Sequence, residues 1–282
     1  MKNLKIFLAL LLATPLVSLA QDIDSTAVAP IVDKPERAAF ENTWLIDNPT
    51  NVLYNKGTLQ FDMQHRFGTL NGTNDMLGFW APANIRLGVN YSFTDYLTLG
   101  IGTQKDSRLV DFNARVALLR QTRSNKIPVS LTFYGNASID TRLRENFNLT
   151  QDRYSYFSQI IIAKRFNTVF SMQVAPSYSH FNIVDQNMQN DQISVSFGGR
   201  AKISPQTAII AEYNQPITQH KYNQPYAGFG LGAEFSTGSH AFQVFFSNYK
   251  GINPQRNYVF NQNQVGNGDI LIGFNITRLW HF

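Results

Sequence analysis

The most restrictive feature of this chain is a period-two alternation of apolar and polar side chains that returns about a dozen times after residue 57. Successive side chains of a strand point to opposite faces, so each such segment reads as a strand with one greasy and one polar side. Leu59, Phe61 and Met63 alternate with Gln60, Asp62 and Gln64, and Ile85, Leu87, Val89 and Tyr91 with Asn84, Arg86, Gly88 and Asn90. Ile270, Ile272, Phe274 and Ile276 alternate with Leu271, Gly273, Asn275 and Thr277. Further clean runs lie at 110–116, 129–134, 193–197 and 242–247, with less regular ones near 96–104, 154–165, 168–179, 206–214 and 226–235. The count is about twelve, each run close to the 9–11 residues that cross a bilayer as a tilted strand.

The connections narrow the choice of architecture. Thr94-Asp95, Gln121 to Ile127, Phe166-Asn167, Ala201 to Pro205 and Ser236 to Ser239 are short. They alternate with longer segments rich in Asn, Gln and Gly, such as Gly68 to Pro82, Ser138 to Arg153 and Lys250 to Gly268; Lys105 to Ser107 is the brief exception. Alternating tight turns and long loops along a meander belong to an outer-membrane barrel, with the turns periplasmic and the loops external. A soluble sandwich or lipocalin-like barrel would turn its apolar face inward and carry charge outside. Here the polar face carries Gln, Asn, Ser and Gly with almost no Lys, which suits a crowded wet lumen. The expected fold is therefore all-β, an antiparallel up-and-down transmembrane β-barrel of about 12 strands over residues 57–282. A mean hydropathy of −0.21 argues against a bundle of membrane-spanning helices, and 13% aromatic against 15% charged residues argues against disorder.

Two segments precede the barrel. Lys2 and Lys5, the apolar run Ile6 to Leu12 and the small residues Ser18 and Ala20 read as a secretory signal peptide over 1–20, cleaved before Gln21. Residues 21–56 read as a periplasmic linker or a segment that docks in the lumen, since Phe40, Trp44, Leu45, Ile46 and Tyr54 lie just before the first strand. Without the leader, 22 basic residues face 19 acidic ones, too small an excess to point to nucleic acid. The absence of cysteine excludes disulfides, thiol catalysis and thiolate metal sites. The last strand ends in Phe274, Ile276, Trp280 and the terminal Phe282, sharing one phase interrupted by Arg278. A terminal aromatic of this kind resembles the signal read by the barrel-assembly machinery. Tyr91, Phe93, Tyr96, Phe166, Phe235 and Trp280 fall near the short turns, where they would form an interfacial girdle.

Four stretches, FENTWLIDN (Phe40 to Asn48), QHRFG (Gln64 to Gly68), APANIRLGVNY (Ala81 to Tyr91) and LRQTRSNKIPVSLTFYGN (Leu119 to Asn136), carry a further signal. In that order they resemble a family of bacterial outer-membrane β-barrels known only as a domain of unknown function. The resemblance implies the fold and the cell outer membrane, and brings no catalytic or ligand residues with it.

Eight charged residues fall on the polar face: Asp62, Arg66, Arg86, Asp111, Arg115, Arg200, Glu212 and Glu234. Unpaired charges inside a narrow barrel are costly, so they are expected to pair, Asp62 with Arg86 and the Asp111–Arg115 ladder two strands further on. They form either a network that fills the interior or a constriction that selects solutes. Histidines give little support for an enzyme. His65 and His180 would lie outward near the external rim, but on strands at opposite sides of the cylinder, and no Gly-x-Ser-x-Gly signature accompanies them. No metal or cofactor is expected. Gly228, Gly230 and Gly232 share one face with Glu234, leaving lumen space, and Gly78-Phe79-Trp80-Ala81-Pro82 puts aromatics in the first external loop. The leading functional expectation is a narrow passive channel for small solutes. An internally plugged structural or interaction barrel competes with it, and a lipid-modifying enzyme comes third. The expected partners are outer-membrane lipid, the assembly machinery at Phe282 and the solutes themselves.

Overall fold

A computed structural model describes residues 33–71 and 75–282, so the leader and the start of the linker lie outside the described residues. A two-stranded hairpin, β1 (Trp44–Leu45) and β2 (Asn48–Pro49), comes first. The barrel strands follow: β3 (Thr58–Thr69), β4 (Asn84–Thr94), β5 (Leu97–Gln104), β6 (Leu109–Leu119), β7 (Ser130–Asp140) and β8 (Tyr154–Arg165). They continue with β9 (Phe170–Phe181), β10 (Asp191–Lys202), β11 (Thr207–Pro216), β12 (Gly228–Ser236), β13 (His240–Ser247) and β14 (Leu271–His281). Each barrel strand pairs antiparallel with its sequence neighbours, and β14 closes the ring on β3 with Thr277 opposite Asp62. Closure gives every strand two partners and leaves no open edge. The fold is the twelve-stranded up-and-down barrel that the alternation predicts.

Burial is inverted relative to a soluble protein. Gln60, Asp62, Gln64 and Arg66 of β3 are each at most 1% exposed, whereas Leu87, Val89, Ile101 and Phe246 are 40–50% exposed on the outer wall. Removing apolar surface from water is worth roughly 25 cal/mol per Å². A cylinder clad in such side chains is stable only with hydrocarbon around it. The girdle residues Phe93, Tyr96, Phe166, Phe235 and Trp280 are all exposed near the rim of short turns.

The largest cluster of buried apolar side chains sits inside the ring. Phe40, Trp44, Leu45, Ile46 and Val52 pack there against Tyr134, Phe157, Ile161, Ala175, Ile210 and Phe245 of the wall. From the opposite rim, the connection between β13 and β14 turns inward instead of projecting as an external loop. Its short helix α1 (Pro254–Phe260) starts on a proline and buries Gln255, Asn257, Tyr258 and Val259. In the first long loop, Phe79 packs on Phe67, while Trp80 is 73% exposed.

Candidate functional site

The β1–β2 hairpin lies in the lumen, and the wall takes the place of water for its backbone. A buried backbone group without a hydrogen-bond partner costs about as much as a lost hydrogen bond. Wall side chains supply the missing partners one by one. Arg115 donates to the carbonyl of Thr43 (3.1 Å), Gln243 to that of Trp44 (2.9 Å), Asn275 to that of Ile46 (2.8 Å) and Gln173 to that of Pro49 (2.9 Å). Glu212 accepts from the amides of Asp47 (3.1 Å) and Asn48 (3.1 Å) and from the Asn48 side chain (3.0 Å). Arg66 holds the Asp47 carboxylate at 2.8 Å, and Ser247 donates to its other oxygen at 2.9 Å.

The tip of this plug is tight. Ile46 has φ = 58°, a left-handed conformation unusual for a β-branched residue. It is held there by the bonds to its carbonyl and by close packing against Gly230 of β12, where any larger side chain would meet Ile46 and Glu212. Gly198 of β10 makes the same allowance for Leu45. From above, the Tyr258 hydroxyl of α1 donates to Asn48 Oδ1, and Asn48 Nδ2 donates to Asn214 of β11 at 2.8 Å. The plug tip therefore touches the inward-folded loop as well as the wall. Its base is tied too: Pro35 bridges Thr122 in the β6–β7 turn, and the Glu36 amide donates to Gln121 at 2.7 Å.

All eight charges read from the alternation line the lumen and are buried. Arg86 lies between two carboxylates, 2.7 Å from Asp62 and 2.9 Å from Asp111. It reaches both because the cross-strand neighbours of those carboxylates are Gly88 and Gly102, over which the guanidinium lies. Arg200 pairs with Glu234 at 2.8 Å. The remaining three differ from the expected mutual pairing. Asp111 pairs with Arg86 and not with Arg115 of its own strand, because the rotation of Arg115 toward Trp44 and Tyr134 sets its guanidinium 5.3 and 4.8 Å from their ring centres. Arg66 finds its carboxylate on the plug, and Glu212 is bonded to plug amides with no cation within 4.0 Å among the described residues. Asp47, Asn48 and Tyr258 are the residues that alternation could not reveal, for they sit in a hairpin and a helix too short to show a period.

The histidines do not gather. His65 stacks on Phe274 on the outer wall, at 4.9 Å between ring centres. His180 bonds Asp191 at 2.7 Å and Asn182 at 3.0 Å, on the strand across the barrel from β3. His220, in the β11–β12 loop, accepts the Gln189 amide through Nδ1 at 3.0 Å, and burial pushes its pKa below the usual imidazole range.

A family model described as a membrane-bound beta barrel domain (DUF5777) matches residues 40–280, plug hairpin included. Among solved structures, the NanC porin is similar with a TM-score of 0.50 at 8% identity, over 79% of this chain and 99% of the porin. The COG4313 outer membrane channel from Pseudomonas putida F1 is similar with a TM-score of 0.52 at 13% identity, over 81% and 97% of the two chains. At these identities the likeness is one of fold. No curated protein matches the sequence.

Proposed function

Because the chain belongs to this membrane-bound β-barrel family, we propose that it is an outer-membrane conduit for small polar solutes, held shut by its own N-terminal hairpin. The observation that carries the reading is the grip of Glu212 and Arg66 on Asp47 and Asn48. These wall residues bond the plug through polar groups that water or a solute could replace, so the closed state has an open counterpart with a hydrated lumen. The porin-like fold and the polar interior support a pathway; the charges Asp62, Arg86, Asp111 and Arg115 would face a solute once Trp44 withdrew. Exposure of Phe282 at the rim of short turns fits recognition by the assembly machinery during insertion.

The test uses the natural absence of cysteine. Asn48→Cys with Asn214→Cys places two thiols on facing positions, and a short bis-methanethiosulfonate cross-linker would join them and lock the plug to β11. In planar bilayers, deletion of residues 39–52 should give steady unitary currents. The cross-linked double variant should stay silent and regain openings on reduction. A silent deletion variant would favour the second reading, a permanently filled structural barrel, for which the near-complete burial of Thr43 to Thr50 speaks.

A further inference from the structure

The two rims differ in charge. At the long-loop rim, a cleft beside α1 sets Asp140, Asp152 and Asp185 against Arg142, Arg153 and Arg256, an even balance. At the short-turn rim, a cleft of about 780 Å³ opens between the incoming chain and the β6–β7 and β8–β9 turns. It is lined by Arg37, Arg123, Lys164 and Arg165 against a single acid, Glu36. Among the described residues no carboxylate lies within 4.0 Å of the charged side-chain nitrogens of Arg37, Arg123 or Lys164, and the Arg165 guanidinium reaches Glu36 only at 4.0 Å. Like charges gathered in a recess repel each other unless an anion joins them.

The cleft also borders the hydrocarbon. Lys164 belongs to the outward phase of β8 and lies 5.6 Å from the ring of Phe166. Phe166, Val169 and Phe170 are 39–54% exposed around it. A ligand here would meet cations at the level of the polar headgroups and an apolar wall beside them. That combination fits a lipid better than a dissolved acidic protein, which would gain nothing from the apolar strip. Basic recesses beside membrane-spanning segments suit anionic headgroups for this reason.

We propose that the short-turn rim holds the phosphodiester of an anionic phospholipid in the recess between Arg37, Arg123, Lys164 and Arg165, with an acyl chain along Phe166 and Phe170. The assignment rests on the membrane-spanning barrel and is independent of whether the lumen conducts.

The experiment is native mass spectrometry of the detergent-solubilised full chain with phosphatidylglycerol, phosphatidylcholine of matched chains, or inorganic phosphate. Phosphatidylglycerol should be retained about thirtyfold over phosphatidylcholine, the order expected when two basic side chains contact one headgroup. The triple variant Arg123→Gln, Lys164→Gln, Arg165→Gln should lose that preference. A control removing three cations at the other rim, Lys105→Gln, Arg144→Gln and Lys221→Gln, should keep it. Heat-modifiable migration in gels verifies that both variants are folded barrels. Equal retention of the two lipids, a preference that survives the triple substitution, or complete displacement by millimolar phosphate would each overturn the assignment. Binding of polyglutamate without phosphatidylglycerol would overturn it in favour of an acidic protein partner.

Discussion

Arg86 shows how a single side chain organises the lumen. It neutralises Asp62 and Asp111 together, and the two glycines beneath it, Gly88 and Gly102, give it room to reach them. Replacing it leaves two buried carboxylates without a cation. Breaking a buried pair from one side costs about 3–5 kcal/mol, much more than the pair adds relative to an apolar substitute. Arg86→Met should therefore lower the stability of the refolded barrel by at least that amount in urea titrations. The triple change Arg86→Met, Asp62→Asn, Asp111→Asn should recover most of the loss, since neither of these carboxylates is then left without its cation. Equal destabilisation in both would show that the charges matter less than the shape of the guanidinium.

Among the strands, the regularity of the alternation itself carries information. β3, β4, β6 and β14 can be read directly because the inward positions of their readable stretches are polar or glycine, Leu271 excepted. β5, β8, β9, β11 and β12 are less clean, and for all but β9, whose inward Ser171, Gln173, Ser177 and Ser179 are polar, the structure gives the reason. In those four, the inward positions are Gly102 beneath Arg86, Gly100 beside Asn90 and Asn113, Gly228 against Tyr249 and Gly230 against the plug, or the apolar Phe157, Ile161, Ala163 and Ile210. Loss of period two therefore marks the footprint of whatever fills the lumen. The plug hairpin and α1 have no such signature, because they are too short to show a period and several of their partners lie far away in sequence, such as Gln243 for Trp44 and Asn136 for Gln255. Loop packing has its own titration. With the His220 pKa below its unfolded value near 6.5, the neutral ring is favoured in the folded loop. Its contribution is complete above about pH 6.5 and is lost as the pH falls through that value toward the lower folded one. Thermal melting between pH 7.5 and 5 should show this loss in the native chain. His220→Asn, which keeps an acceptor for the Gln189 amide but does not titrate, should lack that component; parallel curves would exclude the assignment.

For the molecule as a whole, the closed ladder and the plug contribute separately. The barrel strands are joined to one another by backbone hydrogen bonds, whereas the plug is held by wall side chains. Deleting residues 39–52 should leave a barrel that still migrates faster unheated than boiled in gels, while its melting temperature falls by several degrees. A deletion variant that fails to refold would mean that the hairpin is needed to assemble the ring as well as to close it.

The plug is fastened at both ends, by the Pro35–Thr122 bridge before it and by β3 after it. An inhibitor on so short a leash never diffuses away; once pulled out, it stays at an effective concentration on the order of millimolar and re-enters unimolecularly. Dilution, washing or a change in copy number should leave the reclosing rate unaltered, and a free peptide copying the hairpin would have to reach comparable concentrations before it could compete.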